Sequence, residues 1–149
     1  MMRTPPLGTV SQESVSAGPA TTGIGPDGYC RHLPMAADAA LIRRGQERFT
    51  IMCSACHGEL GDGNTVVADH MDLVRPRDLL DPRIRSYPVG EIFHVITAGY
   101  GLMASHADLL PVRDRWAVAA YVKVLQLSQH TDVATIPDAQ RRHILDHLP

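Results

Sequence analysis

The stretch Phe49-Thr50-Ile51-Met52-Cys53-Ser54-Ala55-Cys56-His57-Gly58 decides how the rest of the chain is read. Two thiols sit two residues apart, with an imidazole directly after the second. Upstream, Leu41, Gly45, Phe49 and Met52 share one side at helical spacing, and Arg43, Arg44, Gln46, Glu47 and Arg48 lie largely opposite. The pattern predicts a helix from Met35 to about Met52, with Asp38 as its N-cap, running straight into the two thiols. Downstream, residues 58 to about 88 are broken by Gly58, Gly61, Gly63, Pro76, Pro82 and Pro88, with room for one helical turn near Thr65 to Asp69. So long an irregular run is unusual in a compact domain, unless the chain wraps a large ligand.

Two further helices follow. VGEIFHVITAG reads as a short helix closed by Gly99. The last strong element starts between Pro111 and Asp114 and runs to about Ser128. It carries Trp116, Ala120, Val124 and Leu127 on one face, flanked by Ala117 and Tyr121. AQRRHILDHL ends the chain as a short final helix, and there are no internal repeats.

Cys53-Ser54-Ala55-Cys56-His57 has the C-x-x-C-H spacing of covalent haem attachment. Two thiols separated by two residues reach the two vinyl groups on one porphyrin edge, and the following histidine is held under the iron. A thioredoxin-like redox pair would need a strand–helix setting, whereas this motif ends a helix and precedes a Gly-rich loop. A structural zinc site would need a second ligand pair, which Cys30 and the scattered histidines do not form.

Composition agrees. At 149 residues the chain has room for one compact domain and an extra segment, and its few aromatics leave core volume for a porphyrin to fill. A net charge of -2 gives no basic footprint for nucleic acid. No stretch is apolar enough to span a membrane, and MMRTPPLGTVSQES lacks the apolar core of a secretory signal. Because haem is joined after export, the chain is expected to be a mature form that has lost a leader. Residues 1–34 are rich in Gly, Pro, Ser and Thr, and read as an extended arm or tail. Residues 35–130 form the haem domain and 131–149 a polar tail.

The use of such a haem depends on the ligand opposite His57. His/Met ligation makes a closed electron carrier of raised potential, while an open site binds small molecules. The candidates are His70, Met71, His94, Met103 and His106. His70 and Met71 follow His57 too closely to cross the ring, and His94 falls within a helix. Met103 sits in the Gly-flanked loop AGYGLMASH and is the first choice, with His106 its local rival.

GQERF, CSACHGELGDG, PVGEIFHVITAGYGLMASH and DRWAVAAYVKVLQ together resemble class I cytochromes c. More closely, the chain is similar to the monohaem cytochrome c subunit of bacterial alternative complex III, a quinol-oxidising respiratory complex. Members of that family also carry a segment like Arg3-Thr-Pro-Pro-Leu-Gly-Thr-Val10 before the domain. The resemblance implies an all-α cytochrome c fold, with three main helices around one haem c and the arm lying along a partner. It implies that the Gly45–Phe49 helix crosses the Ala120–Tyr121 helix, with Gly45 permitting close approach. It implies that the Pro76 carbonyl receives the His57 Nδ1–H, and that no more than one or two of Arg75, Arg77, Arg83 and Arg85 pair with the haem propionates, the rest being solvated surface arginines. Where relatives commonly show Met-Pro-Ser-Tyr, this chain has Met103-Ala104-Ser105-His106, which removes a stiffening proline and adds a histidine. Their anchoring cysteine, a lipid attachment point ahead of the arm, has no counterpart near Met1.

The resulting expectation is an electron carrier rather than an enzyme, a cytochrome subunit on the periplasmic side of a membrane respiratory complex. Its partners would be the other subunits and the donor and acceptor proteins. A freely diffusing periplasmic cytochrome is the alternative, and an open-site haem sensor or enzyme a more distant one. Cys30 is expected to be a free thiol.

Overall fold

The computed structural model describes residues 18–71 and 74–146. Residues 1–17 of the expected arm, including the Arg3–Val10 segment, lie outside the described residues, as do the last residues expected in the final helix. In chain order the elements are α1 (Pro19–Thr22), β1 (Ile24–Gly25), β2 (Gly28–Tyr29), α2 (Ala39–Met52), α3 (Ser54–His57), α4 (Val66–Asp69), α5 (Pro82–Arg85), α6 (Val89–Ala98), α7 (Val112–Ser128) and α8 (Asp138–Asp146). The fold is all-α, as expected. The two strands are a minimal antiparallel hairpin pairing Ile24 with Tyr29 and Gly25 with Gly28.

α2 starts where the Asp38 side chain accepts the Leu41 amide at 2.7 Å, and it buries Leu41, Gly45 and Phe49. That face lies across α7. A Cβ on Gly45 would overlap the Ala117 carbonyl oxygen, sit 2.6 Å from its carbon and 2.8 Å from the Tyr121 Cβ. Only hydrogen fits between the two backbones. Beside this contact the Phe49 and Tyr121 rings meet in a tilted pair at 5.4 Å. An ion pair closes the exposed edge: Arg44 holds the buried Asp114 through two bonds of 3.0 and 2.7 Å.

α7 departs from the single apolar face expected of it. Asp114 through Ala120 are all buried, while Val124 and Leu127, assigned to the inner face, are 41% and 68% exposed. The first half of α7 is enclosed by α2, α6 and the N-terminal segment, so it is covered on every side and shows no helical period. Further along, Val122, Leu125 and Gln126 face inward instead, and Gln126 Nε2 donates to the Leu79 carbonyl at 2.7 Å. At the centre, the Trp116 and Phe93 rings stack at 4.1 Å, both fully buried.

Residues 18–34, expected as part of an extended arm, pack onto the body. Trp116 Nε1 donates to the Ala20 carbonyl at 2.6 Å, and the Gly90 amide donates to the Cys30 carbonyl at 2.8 Å. A Cβ on Gly90 would lie 2.5 Å from the Cys30 nitrogen and 2.9 Å from its Cβ, so the segment is pressed against α6. These ties are backbone groups and one indole, which no apolar period announces. α5, capped by Asp81 accepting from the Arg83 amide at 2.8 Å, is a further helix inside the region read as irregular.

Candidate functional site

Helix α2 stops at Cys53, whose amide still donates to the Phe49 carbonyl at 2.8 Å. The backbone bends there and continues as α3, one turn long and ending at His57. Cys53 and Cys56 therefore sit on a tight local turn at the edge of the core. Both are free thiols and both are partly buried. Burial, reinforced by the neighbouring Cys56, pushes the Cys53 thiol up to about 11. A dithiol oxidoreductase requires the opposite, a thiol poised as thiolate near neutrality. Among the described residues, no group of three or more His, Cys, Asp or Glu side chains gathers to hold a metal ion.

His57 is half-buried. Its Nδ1 lies 3.0 Å from the Arg77 carbonyl, which can only accept, so the proton is on Nδ1 and the Nε2 lone pair is free. Burial pushes the imidazole below the usual histidine range. The bond to Arg77 opposes that shift, and the charge of His106 adds to it. A neutral imidazole with an outward Nε2 is the form that binds iron.

The carbonyl expected from Pro76 is thus replaced by that of its neighbour. In extended chain successive carbonyls point to opposite sides. The Pro76 oxygen is turned toward Gly63, 3.1 Å from where a Cβ there would stand, which leaves Arg77 facing the histidine.

Met103 lies in the loop between α6 and α7. It exchanges two backbone bonds of 3.0 Å with Tyr100, and its half-buried side chain packs against the main core, while Tyr100 and Leu102 are 67% and 61% exposed. Two ties fix the loop beyond it: Ser105 Oγ donates to the Thr97 carbonyl at 2.6 Å and the His106 amide to the Ile96 carbonyl at 3.0 Å. Arg115 Nη1 joins α7 to α6, donating to Thr97 Oγ1 at 2.8 Å.

The other sulfur and nitrogen candidates are placed differently. His70 caps α4, exposed and bonded to the Val66 carbonyl at 2.7 Å, with Met71 beside it. His94 meets Tyr29 as a tilted ring pair at 5.5 Å, against the N-terminal hairpin. Of the arginines considered for propionates, Arg75 pairs with Asp69, Arg77 and Arg83 are exposed, and Arg85 is half-buried. Arg115 was not a candidate. It lies inside α7 with its guanidinium 5.4 Å above the Phe93 ring, and only its place in a buried run beside Trp116 could have marked it.

Free thiols at C-x-x-C spacing, a neutral imidazole directly after them and an inward-packed thioether make a donor set that fits a covalently attached porphyrin. The family model for cytochrome C oxidase, cbb3-type, subunit III, matches residues 40–122, more than half of the chain. The chain belongs to this family of c-type cytochromes. It carries covalently bound haem c, and its work is electron transfer. In structure this cytochrome is similar to a chain of the reducing HAO-like protein complex of Kuenenia stuttgartiensis. The TM-score is 0.55 at 23% identity, over 66% of this chain and 49% of that one. The cytochrome spans about half the length of that protein and shares its fold. No curated protein matches it. Among the described residues, no helix is long and apolar enough to cross a membrane.

Proposed function

We propose that this cytochrome is the electron-carrying subunit of a membrane quinol-oxidising respiratory complex of the alternative complex III type, working on the periplasmic face. In this reading Cys53 and Cys56 would carry the two thioether links, and His57 Nε2 and the Met103 sulfur would hold the iron. The haem would supply a reversible one-electron change. The Arg77 carbonyl fixes the His57 ring through Nδ1, and the Thr97–Ser105 and Ile96–His106 bonds hold the loop that carries Met103.

The observation that carries the reading is the single hydrogen bond at His57, which leaves Nε2 free directly after two unpaired thiols. The resemblance of GQERF, VITAGYG and DRWA to the alternative complex III cytochrome supports the assignment to that complex.

The test is a pyridine haemochrome spectrum combined with haem staining of gently solubilised native membranes. The expected result is one haem c per chain, migrating with larger membrane partners under native conditions and with this chain after denaturation. A haem-stained chain found only as a free soluble monomer refutes the subunit assignment in favour of a diffusing carrier. Ferric protein without the red charge-transfer band of a thioether–iron bond refutes Met103.

A further inference from the structure

We propose that the groove along the outer face of α7 receives an acidic amphipathic helix of a partner subunit, which holds the cytochrome in its complex by a face that carries none of the residues assigned to the haem. The inference rests on the reading above, which supplies the partner subunits.

The floor of the groove is a stripe of α7 that helical spacing marks as apolar and that packing leaves open. Ala120 is buried at its head, Val124 one turn on is 41% exposed, and Leu127 extends the same face at 68% exposure. Residues 31–37 form one wall and residues 86–89 the other, and together with α7 they enclose about 850 Å³. Ile42 of α2 also lines this space. It lies eleven residues before Cys53, which is about 16 Å along a helix. Cys53, Cys56, His57, Arg77 and Met103 are all absent from the lining, so an occupant here leaves them uncovered.

Charge identifies the occupant. No aspartate or glutamate lines the groove, whereas Arg31 and His32 stand exposed on one wall and Lys123 sits half-buried on the floor. The Lys123 ammonium donates to the Arg85 carbonyl at 2.7 Å and to the Tyr87 carbonyl at 3.0 Å. Among the described residues its third N–H meets no acceptor. Burial pushes this ammonium below its ordinary value, and no carboxylate is close enough to oppose the shift. A half-buried cation without a counter-ion costs free energy, and a carboxylate brought over it forms a charge-assisted bond. The occupant therefore carries carboxylates beside apolar side chains that mesh with Ala120, Val124 and Leu127. Side chains recurring at that spacing are what a second helix packs against, ridge into groove. A second copy of this chain would set Lys123 and Arg31 against their own likes. A bilayer surface answers the same cations, but it is flat and does not enter between two walls.

The experiment replaces Val124 or Leu127, singly, by the photoreactive p-benzoylphenylalanine in holoprotein assembled in its native membranes. After irradiation the membranes are gently solubilised, the complexes separated by native electrophoresis and the joined peptides sequenced. Both positions are expected to join one and the same subunit, on a segment whose apolar residues recur at helical spacing with carboxylates between them. A second pair of variants needs no photoreactive group. Arg31→Glu combined with Val124→Glu should raise the fraction of haem-stained cytochrome released from the complex about tenfold, and Arg31→Lys combined with Val124→Leu should leave it unchanged. Cross-links to lipid, to a second copy of the chain, to a basic segment or to nothing overturn the proposal while the cytochrome still migrates with its complex, and so does full retention of the doubly acidic variant. A wild-type cytochrome found only as a free monomer overturns the subunit reading and the proposal together, so the two failures are told apart by the native gel.

Discussion

Gly45→Ala puts the contact between α2 and α7 under direct test. The added methyl would stand 2.6 Å from the Ala117 carbonyl carbon and 2.8 Å from the Tyr121 Cβ. Carbon atoms in ordinary contact sit about 3.5–4.0 Å apart, so the helices must part by about 1 Å. Both obstacles belong to or adjoin backbone, so no side-chain rotation relieves them. Overpacking of this kind costs about 1–3 kcal/mol, and the rigid obstacles argue for the upper end. Alanine is a better helix former than glycine by about 1 kcal/mol, which acts in the opposite direction. The net expectation is a loss of about 2 kcal/mol. For a chain of this size that lowers the melting temperature by about 4–8 °C. Scanning calorimetry of the ferric holoprotein reads it directly. The two effects have opposite signs, so the direction decides: an unchanged or raised melting temperature would refute the tight crossing.

Other consequences can be checked with simpler measurements. Trp116→Phe keeps the stack on Phe93 but loses the 2.6 Å bond to Ala20, so trypsin should cut at the exposed Arg31 several-fold faster, read by mass spectrometry; an unchanged rate would mean the indole does not hold the N-terminal segment. Asp38→Ala removes the cap on Leu41 and should cost about 1 kcal/mol in urea unfolding. Ser105→Ala removes the 2.6 Å bond to the Thr97 carbonyl and, under the proposed ligation, should weaken the thioether band with little change in far-ultraviolet circular dichroism; an intact band would show that the loop holds without this bond. Burial pushes the Lys123 ammonium below its ordinary value of 10.5. Between its folded value and 10.5 the unfolded chain binds more protons, so this residue makes stability rise with pH in that window. Urea midpoints measured up to pH 10.5 should show that rise in wild type relative to Lys123→Met, and parallel profiles would contradict it.

The legibility of this chain follows from which groups do the holding. α2 could be read because one side is packed and the other wet, so Leu41, Gly45 and Phe49 keep a helical period. α7 was read as a helix but its inner face was misassigned, because burial around its whole first half removes the period that would have marked a face. Residues 18–34 escaped because a carbonyl meeting an indole and an amide leaves no trace in the order of apolar residues. The site divides in the same way. C-x-x-C-H is a local chemical requirement and is visible in five residues. The partner of His57 depends on which of two adjacent carbonyls turns inward, a choice made by packing against Gly63 and open only to the folded chain. The attachment motif is set by residues close in sequence, whereas the surroundings of His57 are set by contacts that only the folded chain makes.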